Sequence, residues 1–302
     1  MIRKTQFAVA IAALISAPAF AAVGWDANIE LDTTYQNSAL NVATGVAGPR
    51  GASQTGRVEI NAFSKTDKGG GFVAGRASLL AGKGGSTGVD DMWVQIGNAA
   101  GDVKLGRFEA ADVFPVGKDV IVEDGGAPTG YRTNTFRGRT SDAHAALTLN
   151  AGSGIGFELG VMAAAKNTGI RPVVSFGMNG FSAKVGLENG KNAAGKKVSG
   201  AGLTVGTTMA GAGLNASFGS GKVDGVKGSS FGLNGTFGPA GVGYIMDKTN
   251  FTTGTKKENT FYAAYSLPLF DTGATITPAA SYSKADGDTK RIGLRARINY
   301  AF

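Results

Sequence analysis

Few residues in this chain could make or break a covalent bond. Cysteine is absent and His144 is the only histidine. Thiol catalysis, thiolate metal sites and multi-histidine zinc sites are therefore excluded. A lone histidine with no ordered serine or aspartate partner is far more often a bystander than a catalyst. Nothing in the sequence calls for a cofactor or a bound metal. What the chain offers is fixed charge. Arg57, Arg76, Lys104, Arg107, Arg132, Arg137, Arg139, Arg295 and Arg297 form a basic set, and Glu109, Asp112, Asp119, Glu123 and Asp124 an acidic one within residues 108–135. Opposed charges around a confined aqueous space set up a field that orients polar solutes and sorts ions.

These charges sit on a repeating pattern with a period of two. In the last twelve residues, apolar side chains fill every even position from Ile292 to Phe302, while the odd positions carry Arg291, Arg295, Arg297 and Asn299. A strand sends the two sets to opposite faces. The same alternation sets Val58 and Ile60 against Arg57 and Glu59, Val73 and Ala77 against Arg76, and Val103 and Leu105 against Lys104. Later, Phe157, Leu159 and Val161 oppose Glu158, and Phe181 to Leu187 oppose Lys184 and Glu188. No sustained helical stripe follows the first residues, and mean hydropathy is +0.00. That value suits strands with one greasy and one wet face.

The N-terminus has its own signature. Met1-Ile2-Arg3-Lys4 is basic, Phe7 to Ile15 is apolar, and Ala19-Phe20-Ala21 is a small-x-small site. This reads as a secretory signal peptide, residues 1–21, cleaved to leave a single domain of 281 residues, 22–302. No later stretch reaches the ~20 apolar residues of a membrane helix. Without Arg3 and Lys4 the chain keeps 28 basic and 22 acidic residues, a net charge of +6. The positive charges are spread along alternating strands rather than gathered in a patch, which argues against nucleic acid as a partner.

Tight turns are expected at 66–70, 98–101, 151–154, 179–180, 210–213, 238–241 and 268–273, each a cluster of Gly, Asn, Asp or Pro. Longer polar connections are expected at 37–54, 189–197 and 247–257. Short and long connections should fall on opposite membrane sides, and counting back from Phe302 gives sixteen strands. That count requires one strand over about 136–150, with a bulge near Ser141-Asp142 or a later start. The fold class is therefore all-β, a transmembrane antiparallel up-and-down barrel. Between 108 and 135 alternation stops, yet Phe108, Val113, Phe114, Val116, Val120, Ile121 and Val122 are too apolar for a solvated loop, so this segment should pack against something.

Two segments carry a family resemblance. A C-terminal strand ending on Phe302, with Tyr300 two residues before, is a hallmark of outer-membrane barrels. Met92 to Arg107, with Gly101 to Arg107 fitting G-x-(V/L)-x-L-G-R, resembles the fourth strand, turn and fifth strand of Gram-negative general porins. The resemblance implies a sixteen-stranded barrel in the outer membrane, usually a homotrimer. It also implies a third loop folded inward to narrow the pore, and a basic wall facing an acidic loop. Tyr300 and Phe302 would then be the signal read by the barrel-assembly machinery. Lysines at 191, 196, 197, 256 and 257 are placed to meet lipopolysaccharide phosphates, with outer-membrane lipid around the barrel. The function expected is passive diffusion of small hydrophilic solutes and ions, with anions preferred. The competing readings are a narrower solute-specific channel and a structural or adhesive barrel. An outer-membrane hydrolase lacks its catalytic constellation.

Overall fold

The computed structural model describes residues 23–37, 39–41, 46–48, 51–117, 130–287 and 290–302. Among them no helix occurs and strands dominate: β1 Gly24–Gln36, β2 Ala39–Asn41, β3 Val46–Gly48, β4 Gly51–Lys68, β5 Gly71–Gly82, β6 Thr87–Asn98 and β7 Gly101–Arg107. After a long connection come β8 Ala143–Gly152, β9 Ile155–Ala163, β10 Thr168–Met178, β11 Phe181–Lys191, β12 Lys197–Met209 and β13 Ala212–Val223. The chain finishes with β14 Val226–Phe237, β15 Ala240–Phe251, β16 Gly254–Tyr265, β17 Leu267–Leu269, β18 Ala274–Ala285 and β19 Arg291–Ala301.

Barrel neighbours pair antiparallel all the way round, and β1 pairs with both β4 and β19, so the sheet closes. The two pieces β16 and β17 flank Ser266 and both pair with β18, forming one crossing. The pair β2–β3 is a small separate hairpin. The barrel thus has sixteen crossings, plus the extra β17 segment. Closure gives every strand two neighbours, which is what hydrocarbon demands of a backbone with no water to bond.

Alternation fixes which face is which. Met92, Val94 and Ile96 on β6 are exposed on the outer surface, as are Leu203 and Val205 on β12. Their neighbours in sequence turn into the lumen, where Glu59, Asn61, Ser78 and Thr204 are buried. In water so many exposed aliphatic side chains would be an aggregation hazard; against lipid they are the stabilising face.

The seven tight turns fall where composition put them, at 69–70, 99–100, 153–154, 179–180, 210–211, 238–239 and 270–273. The other end of the barrel is barer than expected. Residues 247–257 are not a polar connection: β15 and β16 run through them with Lys248 opposite Lys257, leaving only 252–253 as the turn. Lys, Asp and Asn read as loop residues there because outside the apolar band a strand has no reason to be greasy. Likewise β4 begins at Gly51, so the first connection is shorter than 37–54. The strand expected over 136–150 begins only at Ala143. Residues 136–142 stay in the long connection, because Phe136 is drawn into the lumen and Arg137 and Arg139 pair with acids there.

Asn179 and Gly180 have φ of +52° and +81°, the left-handed pair of a two-residue hairpin turn. A Cβ on Gly180 would sit 2.8 Å from the Thr208 carbonyl oxygen. Gly180→Val should therefore cost about 1–2 kcal/mol, read as a lower urea midpoint for barrel unfolding in detergent. An unchanged midpoint would mean that the turn is not held in this conformation.

Candidate functional site

The lumen is divided between a docked loop and a charged wall. Residues 108–142 form the long connection from β7 to β8. Its two limbs are zipped at the root: Ala110 N–H donates to Arg137 O, and Arg139 N–H to Phe108 O, each at 2.8 Å. Arg107 clamps this root, donating from Nε to the carbonyls of Val89 and Asp90, 2.9 and 2.8 Å, and from Nη1 to that of Arg139. Phe108 stacks on His144 with ring centroids 4.1 Å apart. Among the described residues neither ring nitrogen of His144 has a hydrogen-bond partner, so His144 is packing. The Lys104 ammonium lies 4.5 Å from the centroid of the Trp93 ring and 5.4 Å from that of Phe108.

From this root the loop runs along the inner wall of β9 to β16. Glu158 accepts the Ala111 N–H at 3.0 Å. Arg171, fully buried, donates to the carbonyls of Thr133 and Ala111, 3.0 and 2.7 Å, and to Asn134. Lys184 donates to Asp112 O at 3.3 Å, and Thr204 to Val113 O. Asn234 and Tyr262 donate to Pro115 O and Val116 O, 2.8 and 2.9 Å. Glu188 accepts from the Tyr131 hydroxyl and from the backbone N–H groups of Thr135 and Phe136, the latter two at 3.3 Å. Loop carbonyls and amides thus bond lumen side chains in place of water, as buried backbone requires. Burial, together with the Glu188 carboxylate, pushes the Tyr131 phenol far above its ordinary range, so it stays a donor. Burial pulls the Arg132 guanidinium below its usual value, and the Asp247 carboxylate 3.4 Å away opposes that shift.

The wall beneath the loop is paved with glycine. An added Cβ would come within 2.6 Å of Phe136 at Gly169, 2.8 Å of Val113 at Gly186, 2.7 Å of Thr133 at Gly202 and 2.9 Å of Phe114 at Gly232. At Gly200 and Gly221 it would strike the Tyr131 ring. Phe114 packs with Ile245 and Tyr262, and Tyr131 and Phe136 with Met162 and Val198. The apolar core of this molecule lies in its lumen and is brought there by the loop.

The opposite arc is a belt of paired charge. Arg297 grips Asp32 with two bonds of 2.7 Å and reaches Glu30 at 3.1 Å, while Arg295 lies 3.9 Å from Asp32. Arg57 sits 3.6 Å from both Glu30 and Glu59, and Arg76 3.8 Å from both Glu59 and Asp91. Arg139 continues to Asp90 at 2.9 Å and Asp91 at 3.3 Å, and Arg137 to Glu109 at 3.0 Å and Asp112 at 3.6 Å. The partners are not equally exposed. The Arg57 and Arg76 side chains are 39% and 35% exposed, those of Glu59 and Asp91 9% and 15%. At Arg57 and Arg76 the carboxylates lie against the wall and the guanidiniums reach into the water, whereas Arg295 and Arg297, 8% and 16% exposed, lie as deep as Asp32 and Glu30.

The sequence-selected residues divide accordingly. Arg57 and Arg76 stand on the open wall, and Arg295 and Arg297 are largely buried in the same charged belt. Arg137 and Arg139 belong to the loop root, Arg107 is its clamp, and Lys104 caps two rings beside it. Arg132 is tied under the loop to Asp247. Glu109 and Asp112 do not face the basic wall across a gap: they pair with Arg137 in their own loop. Asp119, Glu123 and Asp124 lie outside the described residues. Sequence reasoning placed Glu158, Lys184 and Glu188 opposite the apolar phase but did not identify them as loop anchors. Only the folded register shows what they reach.

A family model described as Gram-negative porin matches residues 8–301. No curated protein matches the chain. Among solved structures it is similar to an anion-selective porin from Comamonas acidovorans, at 16% identity and TM-score 0.67, covering 93% of this chain and 100% of that one. In-vitro folded OmpT of Vibrio cholerae in its trimer form follows at 14% identity and TM-score 0.66, covering 93% and 99%. A variant of the Rh. blastica porin follows at 12% identity and TM-score 0.67, covering 93% and 100%. The chain belongs to the Gram-negative porin family. It is a multi-pass outer-membrane protein whose closed barrel forms a channel.

Glu188→Ala would strand a buried hydroxyl and two backbone N–H groups, at roughly 1–3 kcal/mol for each donor left unpaired. The expected result in planar bilayers is higher single-channel conductance with more open-state noise. A conductance trace identical to that of the unmutated protein would show that Glu188 does not hold the loop.

Proposed function

We propose that the barrel is a pore for passive diffusion of small hydrophilic solutes and ions, with a weak preference for anions and no catalytic role. One observation carries the preference: the guanidiniums of Arg57 and Arg76 reach into the water while their partner carboxylates lie behind them. A passing ion meets the positive end of each pair first. The preference is weak because every guanidinium of the belt has an acidic neighbour. The net charge of +6 outside residues 1–21 acts in the same direction, and the similar Comamonas acidovorans porin is described as anion-selective. Sixteen crossings also favour this reading over a narrow solute-specific channel or an adhesive barrel, since it is a small barrel that is filled by its own side chains.

Further parts of this reading concern delivery and assembly. Residues 1–21 act as a signal peptide removed after Ala21. Tyr300 and Phe302, stacked with centroids 5.5 Å apart and exposed on the outer surface, are the signal for the barrel-assembly machinery. A homotrimer is supported by the trimer form of the Vibrio cholerae relative. Small outward residues near the closure, Ala52, Ala280 and Ala296 beside Tyr35, would let copies approach closely.

Arg57→Ala with Arg76→Ala should move the reversal potential in a salt gradient towards cation selectivity, by more at 0.1 M than at about 1 M salt, where the Debye length is about 3 Å. Arg107→Ala should leave selectivity nearly unchanged and raise open-channel noise instead, because its donors hold the loop root. Unaltered selectivity in the double variant would remove the open wall from the mechanism.

A further inference from the structure

A large apolar ring, that of Phe63, stands open in the lumen. Phe63 on β4 is 42% exposed, yet it lies on the inner face, directly opposite Arg76 on β5, which in turn lies opposite Trp93 on β6. Two features keep the ring open. On its other flank the facing residue is Gly24, which has no side chain to cover it. On the near flank Arg76 turns away, donating to Asn61 and Ser78 at 2.9 and 3.1 Å on the side of Glu59 and Asp91. Trp93 meets Phe63 edge to face, with ring centroids 6.3 Å apart. A contiguous aromatic surface left facing water marks a place where something else binds.

The charge beside this surface is of one kind. One row nearer the short turns, Lys65, Ala74, Gln95 and Lys104 follow one another across β4 to β7 on the same inner face. The Lys104 ammonium lies 4.5 Å from the Trp93 centroid and 5.4 Å from that of Phe108, and among the described residues no carboxylate comes within ion-pair distance of it. Every arginine of the belt above has such a partner. Lys65 stands 4.8 Å from the Phe72 centroid and holds Asp67 at 2.9 Å. Asp102, a row further on, faces Gly97 and Thr148. The Trp93 indole thus has an open benzene ring beside it and an ammonium with no acidic partner over it. One small molecule can reach both, since aromatic rings pair at centroid spacings of about 4.5–7 Å and an ammonium bonds a carboxylate at about 2.7–2.9 Å.

We propose that this patch of the inner wall is a binding subsite for small aromatic carboxylates, with the ring against Phe63 and the carboxylate on the Lys104 ammonium. A small aliphatic acid engages only the ammonium and a neutral aromatic only the ring. A molecule carrying both groups satisfies the two that the fold leaves open. Binding of this kind is strong enough to draw the solute in and weak enough to release it, as conduction requires. The proposal deepens the pore reading and rests on it, because the ligand reaches Phe63 along the aqueous path.

The test uses benzoate and the fluorescence of Trp93. The chain has two tryptophans, and Trp25 is exposed on the outer surface, so Trp25→Phe leaves Trp93 as the sole indole reporter. Titrating that barrel in detergent with benzoate should change its emission saturably, whereas acetate and benzyl alcohol should each bind at least about ten-fold more weakly. In the same background Phe63→Leu should weaken benzoate binding by about five-fold and Lys104→Gln by about ten-fold. Absence of any saturable change would overturn the proposal. So would equal binding of acetate, which marks a plain anion site, equal binding of benzyl alcohol, which marks a merely apolar one, or full affinity in either variant. If Lys104→Gln fails to fold, Phe63→Leu decides alone. In planar bilayers benzoate should lower the current that chloride carries through the same barrel. Channels that conduct chloride and ignore benzoate would strike the subsite and leave the pore reading standing; a saturable titration on protein that forms no channel would strike the pore reading and leave the binding site.

Discussion

A strand in hydrocarbon has no water to bond, so its backbone must be satisfied by neighbours on both sides, and only a closed ring supplies them. In this chain the ring closes where β1 meets β19, with Asp32 opposite Arg297. Closure then decides the rest. Side chains alternate between lipid and lumen, the outer face must be apolar, and every charge is forced inward or to the rims. The interior of such a ring is empty by construction. What fills it determines whether the barrel conducts and what it conducts.

Here two solutions share the lumen. Over β9 to β16 the wall is stripped to glycine at the positions where Phe114, Tyr131, Phe136 and Val113 arrive, and buried polar groups, Arg171, Glu188 and Thr204 among them, bind the loop backbone. The polar anchors position the loop and the aromatic side chains fill the space beside them. Over β19, β1, β4, β5 and β6 the wall keeps its long charged side chains and remains wet. Removing one partner of a buried anchor costs more than a surface ion pair would contribute, typically ~3–5 kcal/mol against about 0–1. The loop is therefore held by a few groups such as Arg171 and Glu188, while on the wet wall Arg57 and Arg76 keep partly exposed guanidiniums beside their acidic partners.

Much of this architecture was legible in the sequence, for a physical reason. Alternation is local: Met92 to Ile96 or Ile292 to Phe302 reveal their faces without knowing their neighbours. Turn chemistry is local too, and Asn179-Gly180 names its own conformation. What stayed hidden was register. Asp32 and Arg297 are 265 residues apart, and nothing in either strand alone says that they meet. Glycines such as Gly186 and Gly202 do not by themselves announce the loop whose Val113 and Thr133 occupy the space of their missing side chains. The strand that the count requires over about 136–150 takes its later start, at Ala143, because Phe136, Arg137 and Arg139 are drawn to partners that the count cannot see. Residues 247–257 read as a loop because polar strand ends and polar loops have the same composition.

The contact on which the lumen is built is that of the loop against the glycine wall inside the ring. The chain has no cysteine, so a single engineered pair can report that contact. Val113→Cys with Gly186→Cys should form a disulfide nearly completely in folded barrels in native outer membranes, because an added Cβ at 186 stands 2.8 Å from a Val113 methyl and such spacing suits the bond. Conductance should then be unchanged and open-channel noise reduced. Two free thiols that a water-soluble maleimide labels at once in the folded barrel would contradict the docked loop.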